Sequence, residues 1–204
     1  TGIFGGAFNP VHNGHLALAE QYKKALSLDR IIFIPTANPP HKSSDGLIDG
    51  KHRINMLELC VGENELVSDI EFRRDGKSYT YLTICELKEK YPDDEFYLIV
   101  GADQFFYFEK WYKFEEILSA CTVVTAAREK NQYVEMLDFK NEHPKLKDVV
   151  VSEFDVIDIS SSQIRDMIKN GEDVSCYIPE SVNRYIKEQQ AEVVLEKIGL
   201  LVSG

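Results

Sequence analysis

Apolar runs of strand length alternate along this chain with segments of helical spacing. Ile3-Phe4 runs into Gly5-Gly6, which predicts a short strand ending in a glycine turn. From Gly14 to Leu26, Leu16, Ala19, Tyr22 and Leu26 recur at helical spacing. Ile31-Ile32-Phe33-Ile34 is unbroken and stopped by Pro35, the pattern of a strand buried on both faces. Lys51 to Val61 predicts a helix with Ile54, Leu57 and Val61 on one side. Leu66 to Phe72 predicts a strand, Tyr79 to Tyr91 a helix closed by Pro92, and Phe96 to Val100 a buried strand ended by Gly101. A short helix is expected over Phe114 to Leu118, a strand over Cys121 to Ala126 and a helix over Tyr133 to Phe139. Val149 to Val151 and Val156 to Ile159 read as short strands. Helices follow over Ser162 to Lys169, Glu180 to Gln189 and Ala191 to Ile198.

Buried strands alternating with helices imply a parallel sheet covered on both faces. The expected fold is therefore α/β, a Rossmann-type open parallel sheet sandwiched by helices. The chain, 1–204, reads as a single domain, with the helices from about Ser160 onward forming a small C-terminal helical subdomain. At 204 residues it can bury a core without disulfide or metal staples. Pro35 to Gly50 is the longest irregular segment, and a loop of that length in a compact domain is often functional.

Charge narrows the partners. A net charge of −11 argues against broad nucleic-acid binding, which needs a basic face. A small anionic substrate would need a local cluster of His, Lys and Arg within the acidic whole. Cys60, Cys85, Cys121 and Cys176 lie tens of residues apart, a spacing that suits free thiols in a reducing compartment rather than a zinc site. No apolar run of about 18 residues predicts a membrane span. No basic segment followed by an apolar stretch marks a signal peptide, and the start at Thr1 fits trimming of a short leader. A cytoplasmic location is expected, and a homo-oligomer is compatible with this pattern.

Four segments could carry chemistry. In Gly5-Gly6-Ala7-Phe8-Asn9-Pro10-Val11-His12-Asn13-Gly14-His15, a strand ends in two glycines and a helix follows. The helix start offers N–H groups and positive dipole to a phosphate. His12 and His15, three apart, share a face and could both donate to one phosphate. A plain glycine turn with two surface histidines would account for the same residues. Pro39-Pro40-His41-Lys42 could bring Lys42 onto a phosphate, or leave it a solvated lysine. In Ser160-Ser161-Ser162-Gln163-Ile164-Arg165, Ser160 and Gln163 have capping-box spacing. Arg165 opposes the helix dipole there, and an anionic ligand would explain it. Finally, Ser78-Tyr79-Thr80 and Lys110-Trp111-Tyr112 flank Gly101-Ala102-Asp103-Gln104, which follows a predicted strand. Open α/β sheets bind ligands at the carboxyl ends of their strands. Trp111 could stack on a pyridine or purine ring, or belong to the core. Asp103 could bind a ribose hydroxyl or cap a helix.

Together, GIFGGAFNPVHNGH, PPHK, EFRRDGKSYT, GADQF, KWYKFEEIL and ISSSQIRDMI strongly resemble the bacterial nicotinate-mononucleotide adenylyltransferases of the H-x-G-H nucleotidyltransferase superfamily. They occur in order from Gly2 to Ile168. The H-x-G-H segment marks the superfamily, whereas SYT and KWY point to the nicotinate branch. The resemblance implies an adenylyltransferase that joins ATP and nicotinic acid mononucleotide, with Mg2+ accompanying ATP and no dedicated protein site for the metal. It implies that His12, His15, Lys42 and Arg165 are catalytic. Gly5, Gly6, Phe8, Gly101, Asp103, Ser160 and Ser161 would join the ATP site. Lys42, Thr80, Trp111 and Tyr112 would form the nicotinate side, with the carboxylate read partly by backbone N–H groups near Thr80 and Tyr112. After the strand ending at Ala126 the family usually has Arg-Pro-Gly, whereas this chain has Arg128-Glu129-Lys130, so no role is carried onto Arg128. A sister enzyme using nicotinamide mononucleotide or phosphopantetheine would share the histidine core. A non-catalytic nucleotide-binding module would need neither both histidines nor Lys42 and Arg165.

Overall fold

The computed structural model describes residues 1–40, 47–127, 129–154 and 157–197, with side chains described up to 190. Six strands form one wholly parallel sheet: β1 (Gly2–Gly6), β2 (Ile31–Pro35), β3 (Glu65–Val67), β4 (Tyr97–Gly101), β5 (Thr122–Ala127) and β6 (Val150–Glu153). Their order across the sheet is β3-β2-β1-β4-β5-β6. Eight α-helices accompany them among the described residues: α1 (Asn13–Ala25), α2 (Gly50–Glu58), α3 (Thr80–Lys90), α4 (Ala102–Phe105), α5 (Phe114–Ala120), α6 (Lys130–Glu142), α7 (Ser161–Lys169) and α8 (Glu180–Lys197). This is the expected open Rossmann-type α/β sandwich.

The apolar runs explain the layering. Successive side chains of a strand point to opposite faces. Phe4, Phe33, Ile99 and Val124 therefore enter one core with Tyr22 of α1, Leu57 of α2, Ile164 of α7 and Val182 of α8. Ile3, Ile32, Leu98 and Val123 enter the other, with Ile84 of α3, Phe105 of α4, Ile117 of α5 and Met136 of α6. Both faces of the sheet are dry, so each central strand must be apolar throughout.

Three expectations need correction. The strand predicted over 66–72 stops at Val67, and Ile70–Arg73 is a 3₁₀ turn. Ser68 accepts from Ile70 N–H and Asp69 O from Phe72 N–H, so local bonds replace the ladder. The segment 157–160 is irregular rather than a strand, and residues 155–156 lie outside the description. Ile159 is apolar because it packs into the core, not because it pairs. The two tail helices are one, α8, as far as Lys197; Ile198 lies outside the described residues.

The order β3-β2-β1-β4-β5-β6 reverses between β1 and β4. From that point the connections run outward to opposite edges, leaving a crevice at the carboxyl ends of these two strands. Gly5, Gly6 and Gly101 stand at its lip.

Candidate active site

The glycine turn is shaped by close packing. Phe8 adopts φ +46 and buries its ring against Phe4 and Phe33, with centroids 5.6 and 5.9 Å apart. A Cβ on Gly6 would meet that ring at 3.1 Å, so this position must be small. Cβ atoms on Gly5 or Gly101 would meet nothing within 4 Å, and both residues border the crevice. Here the missing side chain lets a ligand approach the backbone.

His12 is the N-cap of α1 and His15 its third residue, and each caps the other. His15 N–H donates to His12 Nδ1 and His12 N–H donates to His15 Nδ1, both at 3.3 Å. Because each Nδ1 accepts a backbone N–H, the proton of each neutral ring resides on Nε2. The rings stack, with centroids 3.6 Å apart and an interplanar angle of 27°. His15 is further held edge-on by Phe8 at 5.0 Å and by Phe4 at 6.0 Å. Gly14 permits this approach: a Cβ there would meet Ile157 O at 3.0 Å and His12 Nδ1 at 3.1 Å. The helix start offers fewer amides than the sequence suggests. Asn13 N–H donates to Tyr177 O and His15 N–H to His12 Nδ1, so Gly14 and the imidazoles carry its capacity for an anion.

The α7 terminus closes the same end. Ser160 is its N-cap, in the expected capping box with Gln163. Ser161 Oγ donates to Pro10 O at 2.9 Å. Arg165 reaches across to donate to Asn9 O at 2.8 Å and also meets Ser162 Oγ at 3.1 Å. The guanidinium thus ties α7 to the loop after β1.

At the other end, Thr80 opens α3, and no side chain caps that helix at Tyr79. Ser78 exchanges two hydrogen bonds with the Asn38 backbone, each 2.9 Å, which fastens the loop after β2 to the start of α3. Trp111 is both core and wall: it packs on Phe108 with centroids 5.1 Å apart and also borders the crevice. Tyr112 is exposed and leans on Tyr79 at 4.6 Å. Asp103 sits in the first turn of α4, exposed, at the end of β4.

One cleft of about 630 Å³ joins all these parts. It is bordered by Gly5, Gly6, Phe8, His12, His15 and Arg165, by Gly101, Asp103, Ser160 and Ser161, and by Thr80, Trp111 and Tyr112. Lys42, His41 and Arg128 lie outside the described residues. Among the described lining residues Asp103 is the one carboxylate, facing two histidines and an arginine. In a protein of net charge −11, the cleft gathers two histidines and an arginine, a local setting suited to an anion. Among the described residues, no group of three or more His, Cys, Asp or Glu could hold a metal ion.

Sequence reasoning missed Arg53 and Glu71, both buried. The buried face of α2 is Arg53, Met56 and Leu57 rather than Ile54, Leu57 and Val61. The available signal was a charge in register with Met56 and Leu57 at i+3 and i+4. Arg53 Nη1 donates to Ala7 O at 3.0 Å and to Thr36 O at 2.7 Å, and its Nε donates to Ile48 O at 3.1 Å. Burial lowers the Arg53 pKa, opposed by the nearby Asp49 and Glu71 carboxylates. Glu71 accepts from Thr83 Oγ1 at 2.9 Å and from Ala37 N–H at 3.4 Å.

An open parallel sheet with a glycine turn and paired histidines at its switch point defines a class. The profile of the Cytidylyltransferase-like family matches residues 3–167, spanning the cleft from β1 into α7, and the chain belongs to that family. Within it, the chain belongs to the nicotinate-nucleotide adenylyltransferases. A Geobacter sulfurreducens protein named probable nicotinate-nucleotide adenylyltransferase is 38% identical over 93% of this chain and 96% of its own. A Clostridium novyi protein of the same name is 41% identical over 88% of this chain and 92% of its own. The solved structure of Plasmodium falciparum nicotinic acid mononucleotide adenylyltransferase complexed with NaAD matches with a TM-score of 0.75 at 20% identity. That match covers 92% of this chain and 94% of that one, a likeness of fold.

Proposed function

We propose that this protein transfers the adenylyl group of ATP to the 5′-phosphate of nicotinic acid mononucleotide. The products are nicotinic acid adenine dinucleotide and pyrophosphate, a step of NAD biosynthesis. The observation that carries the chemistry is the mutual capping of His12 and His15, which turns both Nδ1 atoms to backbone amides and leaves Nε2–H as the donor of each ring.

An oxygen of the mononucleotide phosphate attacks the α-phosphorus in line. A new P–O bond forms, the bond from the α-phosphorus to the bridging oxygen breaks, and pyrophosphate leaves with that oxygen. The nucleophile is already ionised near neutral pH, so no general base is needed. Catalysis is then positioning and charge stabilisation. His12 and His15 donate to phosphate oxygens as charge moves toward the leaving group. Arg165, beside Asn9 O, holds the outer phosphates, and the resemblance adds Lys42. The backbone around Gly5, Gly6 and Phe8, with Ser160 and Ser161, lines the ATP phosphates, and Gly101 and Asp103 face the ribose. Mg2+ bound with ATP would supply further charge neutralisation. Among the described lining residues Asp103 is the one carboxylate, which suits a metal that would be carried in with ATP rather than held in a protein cage.

The pyridine half is read at the other end. The uncapped start of α3 presents amide N–H groups and helix dipole to an anion, which suits a nicotinate carboxylate. Thr80 and Tyr112 flank that position, and Trp111 stacks on the ring. No helix among the described residues is long and apolar enough to cross a membrane, and the substrates support a cytoplasmic location.

The test is pyrophosphate release with ATP and each of nicotinic acid mononucleotide, nicotinamide mononucleotide and phosphopantetheine. The first is expected to be strongly preferred. Trp111→Ala should raise KM for the mononucleotide about tenfold or more while leaving KM for ATP near wild type. Equal use of the nicotinamide compound would remove the assignment of the α3 start to a carboxylate.

A further inference from the structure

Arg53 lies behind the glycine turn, not in the crevice, and is 2% exposed. A buried guanidinium is costly, and among the described residues no carboxylate lies within ion-pair distance of it. Its nearest partners are three carbonyls and the face of Phe72 at 5.5 Å. An apolar side chain would fill this position at lower cost, so the reason for the cation is to be sought in what it holds.

It holds two peptide units that border the cleft. A trans peptide is planar, with its C=O and N–H pointing in opposite directions. Arg53 takes the Thr36 carbonyl at 2.7 Å, and Glu71 takes the N–H of the same unit, on Ala37, at 3.4 Å. That unit is held from both sides. Arg53 also takes the Ala7 carbonyl at 3.0 Å, so the partner N–H, on Phe8, is directed away from Arg53. Ala7, Phe8 and Thr36 all border the cleft, and Thr36 N–H donates to Gly6 O at 2.8 Å, closing the ends of β1 and β2 together.

We infer that Arg53 is a positioning residue for adenylyl transfer, its Nη1 bridging Ala7 O and Thr36 O so that Phe8 N–H is fixed toward a phosphate oxygen. Glu71 completes the clamp by fixing the neighbouring peptide. This deepens the adenylyltransferase reading and rests on it for the identity of the reacting phosphate.

The experiment compares wild type, Arg53→Met and Arg53→Lys by thermal melting, steady-state turnover per folded molecule, and ATP affinity by calorimetry without acceptor. Arg53→Met keeps bulk and removes all three hydrogen bonds. Its kcat is expected to fall about 10²-fold, the scale of a small misplacement at a reacting centre, with a smaller rise in KM for the mononucleotide. Arg53→Lys keeps a cation able to reach the carbonyls but loses the contact with Ile48 O, and should recover part of that loss. A purely structural arginine would lower the melting temperature while leaving kcat per folded molecule unchanged. A folded Arg53→Met with kcat within twofold of wild type overturns the inference. If Arg53→Met does not fold, Arg53→Gln, a neutral side chain too short to bridge Ala7 O and Thr36 O, decides by the same twofold criterion. If wild type itself releases no pyrophosphate with any of the three acceptors, the proposed function fails. ATP affinity then decides the Arg53 question: weakening by more than twofold supports the clamp, and unchanged affinity refutes it.

Discussion

Replacing His12 by Asn separates two tasks that this side chain combines. As N-cap of α1, His12 accepts the His15 N–H through Nδ1. It also borders the cleft, where the proposed reaction has its Nε2–H donate to phosphate. Asn is among the strongest N-cap residues, and its side-chain oxygen can accept the same N–H. It cannot reproduce the Nε2 donor. Loss of one donor to developing charge costs about 10²–10³ in kcat, or roughly 2.7–4 kcal/mol. His12→Asn should therefore melt within about 3 °C of wild type, while kcat falls about 10²-fold or more. His12→Ala loses the cap as well, which adds about 1 kcal/mol of destabilisation, a further ~3 °C in a chain of this size. His15→Ala should also cost on the order of 10² in turnover. The assay is pyrophosphate release under saturating substrates, paired with a melt. A His12→Asn protein that is folded and turns over within threefold of wild type would refute the donor role.

Other outcomes follow from the same geometry. Gly101→Ala adds a methyl that meets no protein atom within 4 Å and so enters the cleft. Its melting temperature should be unchanged and its KM for ATP raised severalfold; an unaltered KM would show that the adenosine half does not cross Gly101. Gly14→Ala should lose activity through displacement of His12, because the new Cβ lies 3.1 Å from its Nδ1. A crystal structure with both histidines undisturbed would contradict that. Burial pushes the Cys60 thiol up to about 12, with Glu65 adding to it, and burial does the same for Cys121. Below those values the unreactive thiol predominates, so neither should react appreciably with a disulfide reagent in the folded protein between pH 7 and 9, while exposed Cys176 does. Rapid native labelling of Cys60 or Cys121, measured by mass spectrometry, would rule this out.

The alternation of apolar strands with amphipathic helices was legible because burial on both faces leaves a periodic record. Ile31 to Ile34 is apolar at every position, and both cores claim it. The candidate site was legible in side chains to this extent: His12, His15, Ser160, Arg165 and Trp111 all border one cleft. It was also legible where glycine must stand, at Gly6, whose Cβ would meet the Phe8 ring at 3.1 Å. The run from Leu66 to Phe72 misled because its alternation mimics a strand, whereas the buried Glu71 and the Ser68-Asp69 turn bend it away.

What the sequence by itself determined was local: which segments bury a face, where helices are capped, and which residue types can meet a phosphate. Tertiary structure alone decided which backbone amides are spent and which are offered. Asn13 N–H is taken by Tyr177 O, from a loop more than 160 residues away, while the start of α3 is left uncapped. It also decided that Arg53 should be buried against Ala7 and Thr36 rather than solvated. Such pairings depend on the crossing of chain segments distant in sequence. A hydrogen bond of about 3 Å between them leaves no periodicity and no composition by which to read it.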